Sequence, residues 1–287
     1  MSTMPDSPRK QILARLRQNK AAWAGGGLTL LFLVFALTAD WIAPYSPNRT
    51  FAEVAERPSP QHWLGTDNLR KDVLSRVIHG ARLSLLAGTL SIALATAIGV
   101  PLGAVAGYFS GPVDAILMRL VDVALAFPSV LIALVCAAAF RPGWTTVIVA
   151  VALINVPTFA RQIRATVLTV RHLDYVVASR AFGAGPWRIL RTEILPSLLN
   201  PILVLASLGI GAAILETAGL SFLGIGGDLT EPEWGGMLSQ AKDYWSKNVW
   251  FAIGPGAAIS AAVLGFNLLG DALRDALDPR RELFRHD

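Results

Sequence analysis

Charged residues are scarce in this 287-residue chain, and their scarcity indicates the class of protein. Only 16% of the residues are Asp, Glu, Lys or Arg, 53% are hydrophobic, and the mean hydropathy is +0.51. Soluble domains carry about 25% charged residues, so the composition predicts lipid as the solvent. The net charge of +5 fits basic loops beside a membrane, because a nucleic-acid partner requires a concentrated basic face.

Cysteine and nucleotide-binding motifs are also lacking. The single cysteine, Cys136, lies in an apolar run and excludes an intrachain disulfide or a cysteine-rich metal site. No Gly-x-x-x-x-Gly-Lys-Ser/Thr phosphate loop occurs, so the chain has no such ATP site of its own. The four histidines lack the paired helical spacing of metal ligands. The sequence therefore predicts no enzyme, no metal site and no cofactor bound by this chain.

Long apolar runs, in contrast, are plentiful. A transmembrane helix needs about 20 mostly apolar residues, and six stretches qualify: 21–43, 83–109, 113–139, 144–160, 195–219 and 250–270. They predict an all-α integral membrane protein with six transmembrane helices. The parts are an amphipathic N-terminus (1–20), a first transmembrane helix (21–43), an outer loop (44–82), a five-helix core (83–270) containing an inner loop (161–194) and an outer loop (220–249), and a tail (271–287).

The distribution of Lys and Arg predicts the orientation. With the N-terminus inside, the inner segments hold 15 of these residues and the outer segments hold 9. The positive-inside rule therefore favours a cytoplasmic N-terminus and tail. The first apolar run is longer than the roughly 7–15 residues of a signal-peptide core, so we expect it to be retained as a membrane anchor.

Glycine and proline are placed where helices touch or bend. Gly99, Gly103 and Gly107 form one smooth stripe in the second span, which is typical of close helix packing. Five spans contain or border a proline that removes a backbone hydrogen-bond donor: Pro101, Pro128, Pro157, Pro201 and Pro255. The pattern fits simple bundle packing and also fits a bundle that rearranges.

Three charged positions inside the spans are candidate functional residues. Arg119 and Asp122 are three residues apart on one predicted helix, so they are expected to form a structural ion pair, with a transport role as the alternative. Glu216 lies near the outer end of the fifth span. It is a candidate gate or pathway residue, or a hydrogen-bond partner of a neighbouring loop.

The outer loop 220–249 mixes aromatic and acidic residues, among them Trp234, Tyr244 and Trp245. Aromatic residues of this kind form a belt at the membrane interface. The alternative is a surface that receives a soluble partner or substrate. Both interpretations stay open.

The inner loop carries the most specific pattern of the chain. Ala178, Gly183, Leu195 and Pro196 stand at the spacing of a signature that reads Glu-Ala-Ala, three residues, Gly, nine residues, Ile-x-Leu-Pro. At residues 174–201 the chain therefore resembles the inner-membrane permease subunits of ATP-binding-cassette importers. It departs from the signature at three positions: Val177, Ser179 and Glu193.

Further segments narrow the resemblance. Residues 64–85, 119–134, 219–238 and 266–280 are similar to the peptide-type branch, specifically to its second permease subunit. The likeness covers about residues 10–282. That branch serves dipeptides, oligopeptides, nickel or metallophores, glutathione and some sugars.

The resemblance implies a type I importer permease fold with a cytoplasmic coupling helix, in the inner membrane of a bacterium. It also implies a homologous permease subunit as heterodimer partner, two ATPase subunits or domains that use ATP and Mg²⁺, and an extracytoplasmic substrate-binding protein. A short helix ended by a glycine with positive φ can seat in a groove of the ATPase. The residues implied in coupling are Tyr175, Val177, Ala178, Ser179, Ala181, Gly183, Leu195 and Pro196. The alternative is a stand-alone secondary transporter or channel, which would require inverted repeats and several buried carboxylates.

Overall fold

Helices dominate the computed structural model, which describes residues 14–277. Five of its helices are long and apolar enough to cross a membrane, and a bent pair brings the number of spans to six within this part of the chain. The helices are α1 (Lys20–Ile42), α2 (Val73–Phe109), α3 (Gly111–Ala126), α4 (Ser129–Ala139), α5 (Trp144–Val170), α6 (Asp174–Ala181), α7 (Pro186–Ile189), α8 (Leu199–Phe222), α9 (Trp234–Ala241) and α10 (Trp250–Leu277). The predicted amphipathic N-terminus and the predicted tail fall partly on residues 1–13 and 278–287, which lie outside the described residues.

Two helices extend ten residues beyond the predicted spans. Helix α2 begins at Val73, ten residues before position 83, because the Asp72 carboxylate accepts the Ser75 N–H at 2.8 Å and caps the helix. Helix α5 continues to Val170, ten residues beyond position 160. The charged residues that ended the predicted apolar span do not end the helix.

The third predicted span, 113–139, is a broken pair of helices. Helix α3 ends at Ala126, and α4 starts at Ser129 with its axis turned by 93°. Phe127 and Pro128 between them have extended backbone with ψ of 133° and 132°. Proline restricts the residue before it to this region, so the break follows from Pro128.

The glycine stripe of α2 packs directly on α5. A Cβ added at Gly103 would lie 2.3 Å from the Ala160 carbonyl oxygen, and one added at Gly107 would lie 2.8 Å from the Val167 Cβ. Only glycine permits this approach of the two backbones. The prediction of close helix packing is confirmed.

The bundle has two distinct ends. Helix α5 spans about 40 Å from Trp144, where the Gly143 N–H binds the Ile225 carbonyl, to α6. We call the second end the α6 end. At the opposite end, residues 44–72 and 223–249 pack on each other and form what we call the cap. Residues near both chain ends meet on the α6 side, where Arg15 Nη1 donates to the Ala276 carbonyl.

Candidate coupling surface and membrane cavity

Helix α6 has one buried face and one exposed face. Val176 is fully buried in the apolar cluster that also contains Ile189 and Ile194. On the other face Tyr175 and Val177 are 43% and 48% exposed, and Phe182, just after the helix, is 91% exposed. Ala178 and Ala181 are exposed as well. The predicted coupling residues thus present an apolar surface that the described part of this chain leaves uncovered.

Gly183 closes this helix in the predicted conformation. Its φ is +82°, its N–H donates to the Arg180 carbonyl at 3.0 Å, and the Phe182 N–H donates to Ala178. The left-handed region favours glycine. Apart from its two neighbours in the chain, no described residue has an atom within 4 Å of a Cβ added at Gly183, so the space around it is open for a partner.

Two of the departures from the signature contact each other. The Ser179 hydroxyl donates to Glu193 Oε1 at 3.3 Å, and the Thr192 hydroxyl reaches the same oxygen at 3.3 Å. This contact links α6 to the helical segment that leads into α8. The third departure, Val177, lies on the exposed face.

Leu195 and Pro196 sit where this segment changes its helical register. Leu190–Ile194 forms a π-helical turn, and the Leu195 N–H donates to the Leu190 carbonyl five residues earlier. Pro196 has no N–H to continue the α-helical ladder, which favours such a turn. Leu195 packs against the apolar cluster around Val176, whereas Pro196 is exposed. A short turn (Leu195–Ser197) then leads to α8 at Leu199.

The predicted ion pair between Arg119 and Asp122 is wrong. Asp122 binds Arg161 of α5 instead, with Nη2 and Oδ1 2.5 Å apart, and Arg119 is exposed. A second pair, between Arg164 and Asp114, has both contacts at 2.5–2.6 Å. The long arginine side chains of α5 thus reach the α3 carboxylates from the neighbouring helix, and they fasten α3 to α5.

A cavity of about 820 Å³ opens between α5, α8 and the end of α10. Polar side chains line it together with apolar residues of α8. The polar ones are Asn155, Thr158, Gln162, Thr166, Asn200 and Arg274. The sequence analysis did not single them out, although amide side chains inside apolar spans were an available signal.

Glu216 is not part of the cavity lining, but it contacts Asn155, which is. Asn155 Nδ2 donates to Glu216 Oε2 at 2.7 Å and to the Val151 carbonyl at 2.9 Å. The partner of the glutamate is therefore a neighbouring helix, not the loop that was one of the two predicted alternatives.

The cap is held by buried charges. Arg76 and Asp67 are both fully buried, with Arg76 Nε 3.3 Å from Asp67 Oδ2. The Arg76 guanidinium also donates to the carbonyls of Leu229, Thr230 and Glu231 at 3.1–3.3 Å. Burial raises the pKa of the Asp67 carboxyl, against the opposing influence of the Arg76 charge. These contacts join the two segments of the cap.

Trp234 does not lie at the membrane interface, where one of the two predictions for this loop had placed it. It is fully buried, its indole N–H donates to the Val77 carbonyl at 2.9 Å, and its ring packs edge-on against Phe32. Glu233, just before it, caps α9 by accepting two backbone N–H groups, and burial raises the pKa of its carboxyl. Trp245 is 60% exposed, so the aromatics of this loop serve more than one role.

Comparison with known proteins agrees with this geometry. The family described as binding-protein-dependent transport system inner membrane component matches residues 99–283, and the N-terminal TM domain of oligopeptide transport permease C matches residues 7–61. The di/tripeptide transport system permease protein DppC of Pseudomonas aeruginosa is 42% identical over 282 residues, which cover 96% of this chain and 93% of the relative. The glutathione transport system permease protein GsiD of Pectobacterium atrosepticum is 41% identical over 276 residues, with 96% and 92% covered.

The fold also matches a solved structure. An inward-facing conformation of the MetNI methionine ABC transporter aligns with a TM-score of 0.60 at 19% identity, over 71% of this chain and 97% of that one. The resemblance to peptide-type importer permeases is confirmed. The chain belongs to the family of binding-protein-dependent transport system inner membrane components, and it is a permease subunit without catalytic activity of its own.

Proposed function

We propose that this permease subunit forms one half of the membrane pathway of an ATP-driven importer, with a homologous permease subunit as the other half. Two ATPase subunits or domains bind the α6 end and use ATP and Mg²⁺. A substrate-binding protein delivers the solute at the cap. The relatives named for dipeptides, tripeptides and glutathione support a small peptide as the solute.

The exposed face of α6 is the observation that carries this proposal. It combines side chains that are costly to leave in water, such as Phe182 and Val177, with a glycine turn in open space. Such a surface fits a groove on a soluble partner. In this arrangement the ATPases lie in the cytoplasm of a bacterial cell, and the N-terminus lies on the same side of the inner membrane.

The route from this surface to the pathway is short. Val176 is packed among residues of the segment leading to α8, and Ser179 is bound to Glu193 of the same segment. Helix α8 in turn lines the cavity. When ATP closes the ATPase pair, movement of α6 is therefore transmitted to α8, and the cavity changes its access from one side of the membrane to the other.

Replacing Gly183 tests the proposal against a matched control. Gly183→Leu places a side chain at positive φ in the partner's groove, while Gly185→Leu adds the same side chain at φ −68°, also in open space. We expect Gly183→Leu to lower ATP-dependent peptide uptake about tenfold or more, by weakened assembly or uncoupled ATPase activity. Gly185→Leu should retain most of the uptake.

The measurement uses proteoliposomes containing the chain with the subunits encoded beside it. Uptake driven by an ion gradient, in the absence of ATP and of any ATPase subunit, would contradict the proposal. So would unchanged uptake by the Gly183→Leu variant.

A further inference from the structure

The cavity runs from the α6 end toward the middle of the bundle. Thr166 and Asn155, at its two ends on α5, are separated by roughly 16 Å along the helix axis. On α8 the lining ends at Ala212, and Glu216 follows one helical turn later. Asn155 lines the end of the cavity that lies deepest in the bundle, which we call the inner end, and Glu216 adjoins this end through its contact with Asn155. The volume of the cavity lies within the range of about 300–1,000 Å³ that is usual for small-molecule sites.

Glu216 lacks a cationic partner in the described part of the chain. No Lys, Arg or His of residues 14–277 forms a salt bridge with it, and Asn155 is the one side chain there that donates to its carboxylate. A carboxylate within a membrane span is costly unless a cation or several donors compensate it. One neutral amide leaves this compensation incomplete.

The rest of the cavity lining carries neutral or positively charged side chains, unlike the end next to Glu216. Gln162 and Asn200 offer neutral amides along the cavity, and Arg274 stands near its opposite end. Acidic residues also lie beside Arg274 in the sequence, at Asp271 and Asp275. These carboxylates belong to the opposite end, so Glu216 is the acidic residue next to the inner end of the cavity.

We propose that the inner end of the cavity is a solute site in which Glu216 and Asn155 bind the protonated amino group of the transported peptide. The proposal deepens the proposed function and rests on it for the identity of the solute. An ammonium group brings three donors and a positive charge, so it satisfies the Glu216 carboxylate and the Asn155 side-chain oxygen together. The permease thus selects solutes with a free amino group inside the membrane, in addition to the selection made by the binding protein.

Protection of an introduced cysteine tests the site without ATP and without the binding protein. Thr158→Cys, in a Cys136→Ala background, places one thiol in the cavity lining. Its reaction with a water-soluble maleimide is followed in the full-length chain, purified in lipid nanodiscs with the subunits that accompany it. The probes are alanyl-alanine and N-acetyl-alanyl-alanine, which differ in the amine.

We expect alanyl-alanine to slow labelling at a concentration about tenfold lower than the acetylated peptide does, as one charge-assisted contact implies. Glu216→Gln should abolish this difference. The exchange variant Asn155→Asp/Glu216→Gln returns a carboxylate to the same contact and should restore it, and Glu216→Asp should retain part of it. Restoration by the exchange variant would show that the loss in Glu216→Gln comes from the missing carboxylate.

Equal protection by both peptides, protection by neither, or a difference that survives Glu216→Gln would overturn the proposal. Failure of the proposed function is a separate result, because it appears as uptake that is independent of ATP.

Discussion

Ser179 and Glu193 show how single residues adapt a known signature. Both differ from the signature residue expected at their position, and they lie 14 residues apart, yet their side chains meet at 3.3 Å. In the sequence these two departures from the signature look unrelated, because nothing in it shows that α6 folds back on the segment before α8. The conformation of Gly183, in contrast, was predictable, since a helix end of this kind is a local property.

The buried pair of Arg76 and Asp67 allows a prediction about the stability of the folded protein. Removing one member of a buried pair leaves the other charge without compensation, which costs about 3–5 kcal/mol. Arg76→Gln should therefore lower the thermal midpoint of the purified complex strongly. Arg82→Gln is the control, because its partner Asp40 is 66% exposed and such pairs contribute about 1 kcal/mol or less. Similar midpoints for the two variants would show that the buried pair does not stabilise the cap.

Among the elements, the contact between α2 and α5 is the most sensitive to side-chain size. Gly103→Ala forces a methyl group against the Ala160 carbonyl, so we expect a loss of about 1–3 kcal/mol and a lower thermal midpoint. Gly27→Ala in α1 is the matched control, since an added Cβ there meets no atom within 4 Å. A stable Gly103→Ala variant would mean that the two helices separate easily.

The break between α3 and α4 shows the limit of reading helices from hydropathy. Residues 113–139 are mostly apolar, so composition predicts one span, and Pro128 predicts only a bend. The angle of 93° depends on where α3 is held. Asp114 and Asp122 fasten it to arginines of α5 about 40 to 50 residues later in the chain, and no local pattern contains that information.

For the whole molecule, the predicted orientation in the membrane can be tested at two exposed aromatic residues, one at each end of the bundle. In a Cys136→Ala background expressed without the ATPase subunits, which would cover this surface, Phe182→Cys at the α6 end should react with an impermeant maleimide only when the cytoplasmic side is open. Trp63→Cys in the cap, where Trp63 is 71% exposed, should react in intact spheroplasts. The positive-inside rule gives this assignment. The reverse labelling pattern would contradict both the orientation and the placing of ATPases at α6.

For the whole molecule, the sequence predicted the class of protein well but predicted few of the contacts between distant segments. Six spans, their approximate bounds and the glycine stripe followed from composition and periodicity. The cavity, the partner of Glu216 and the cap did not, because each joins segments far apart in the chain. Arg161 illustrates the reason: its charge marked the end of an apolar span, while its role depends on Asp122, 39 residues earlier.

The cap also sets an order of events during synthesis. Asn248 donates to the carbonyls of Glu56, Leu64 and Thr66, which the ribosome adds 182–192 residues earlier. At about 5–20 residues per second, the first outer loop waits roughly ten to forty seconds for these partners. During that interval α1 and α2 are already made while the loop lacks its closing contacts. The first loop of the cap, although translated early, therefore completes its packing only after most of the chain has been made.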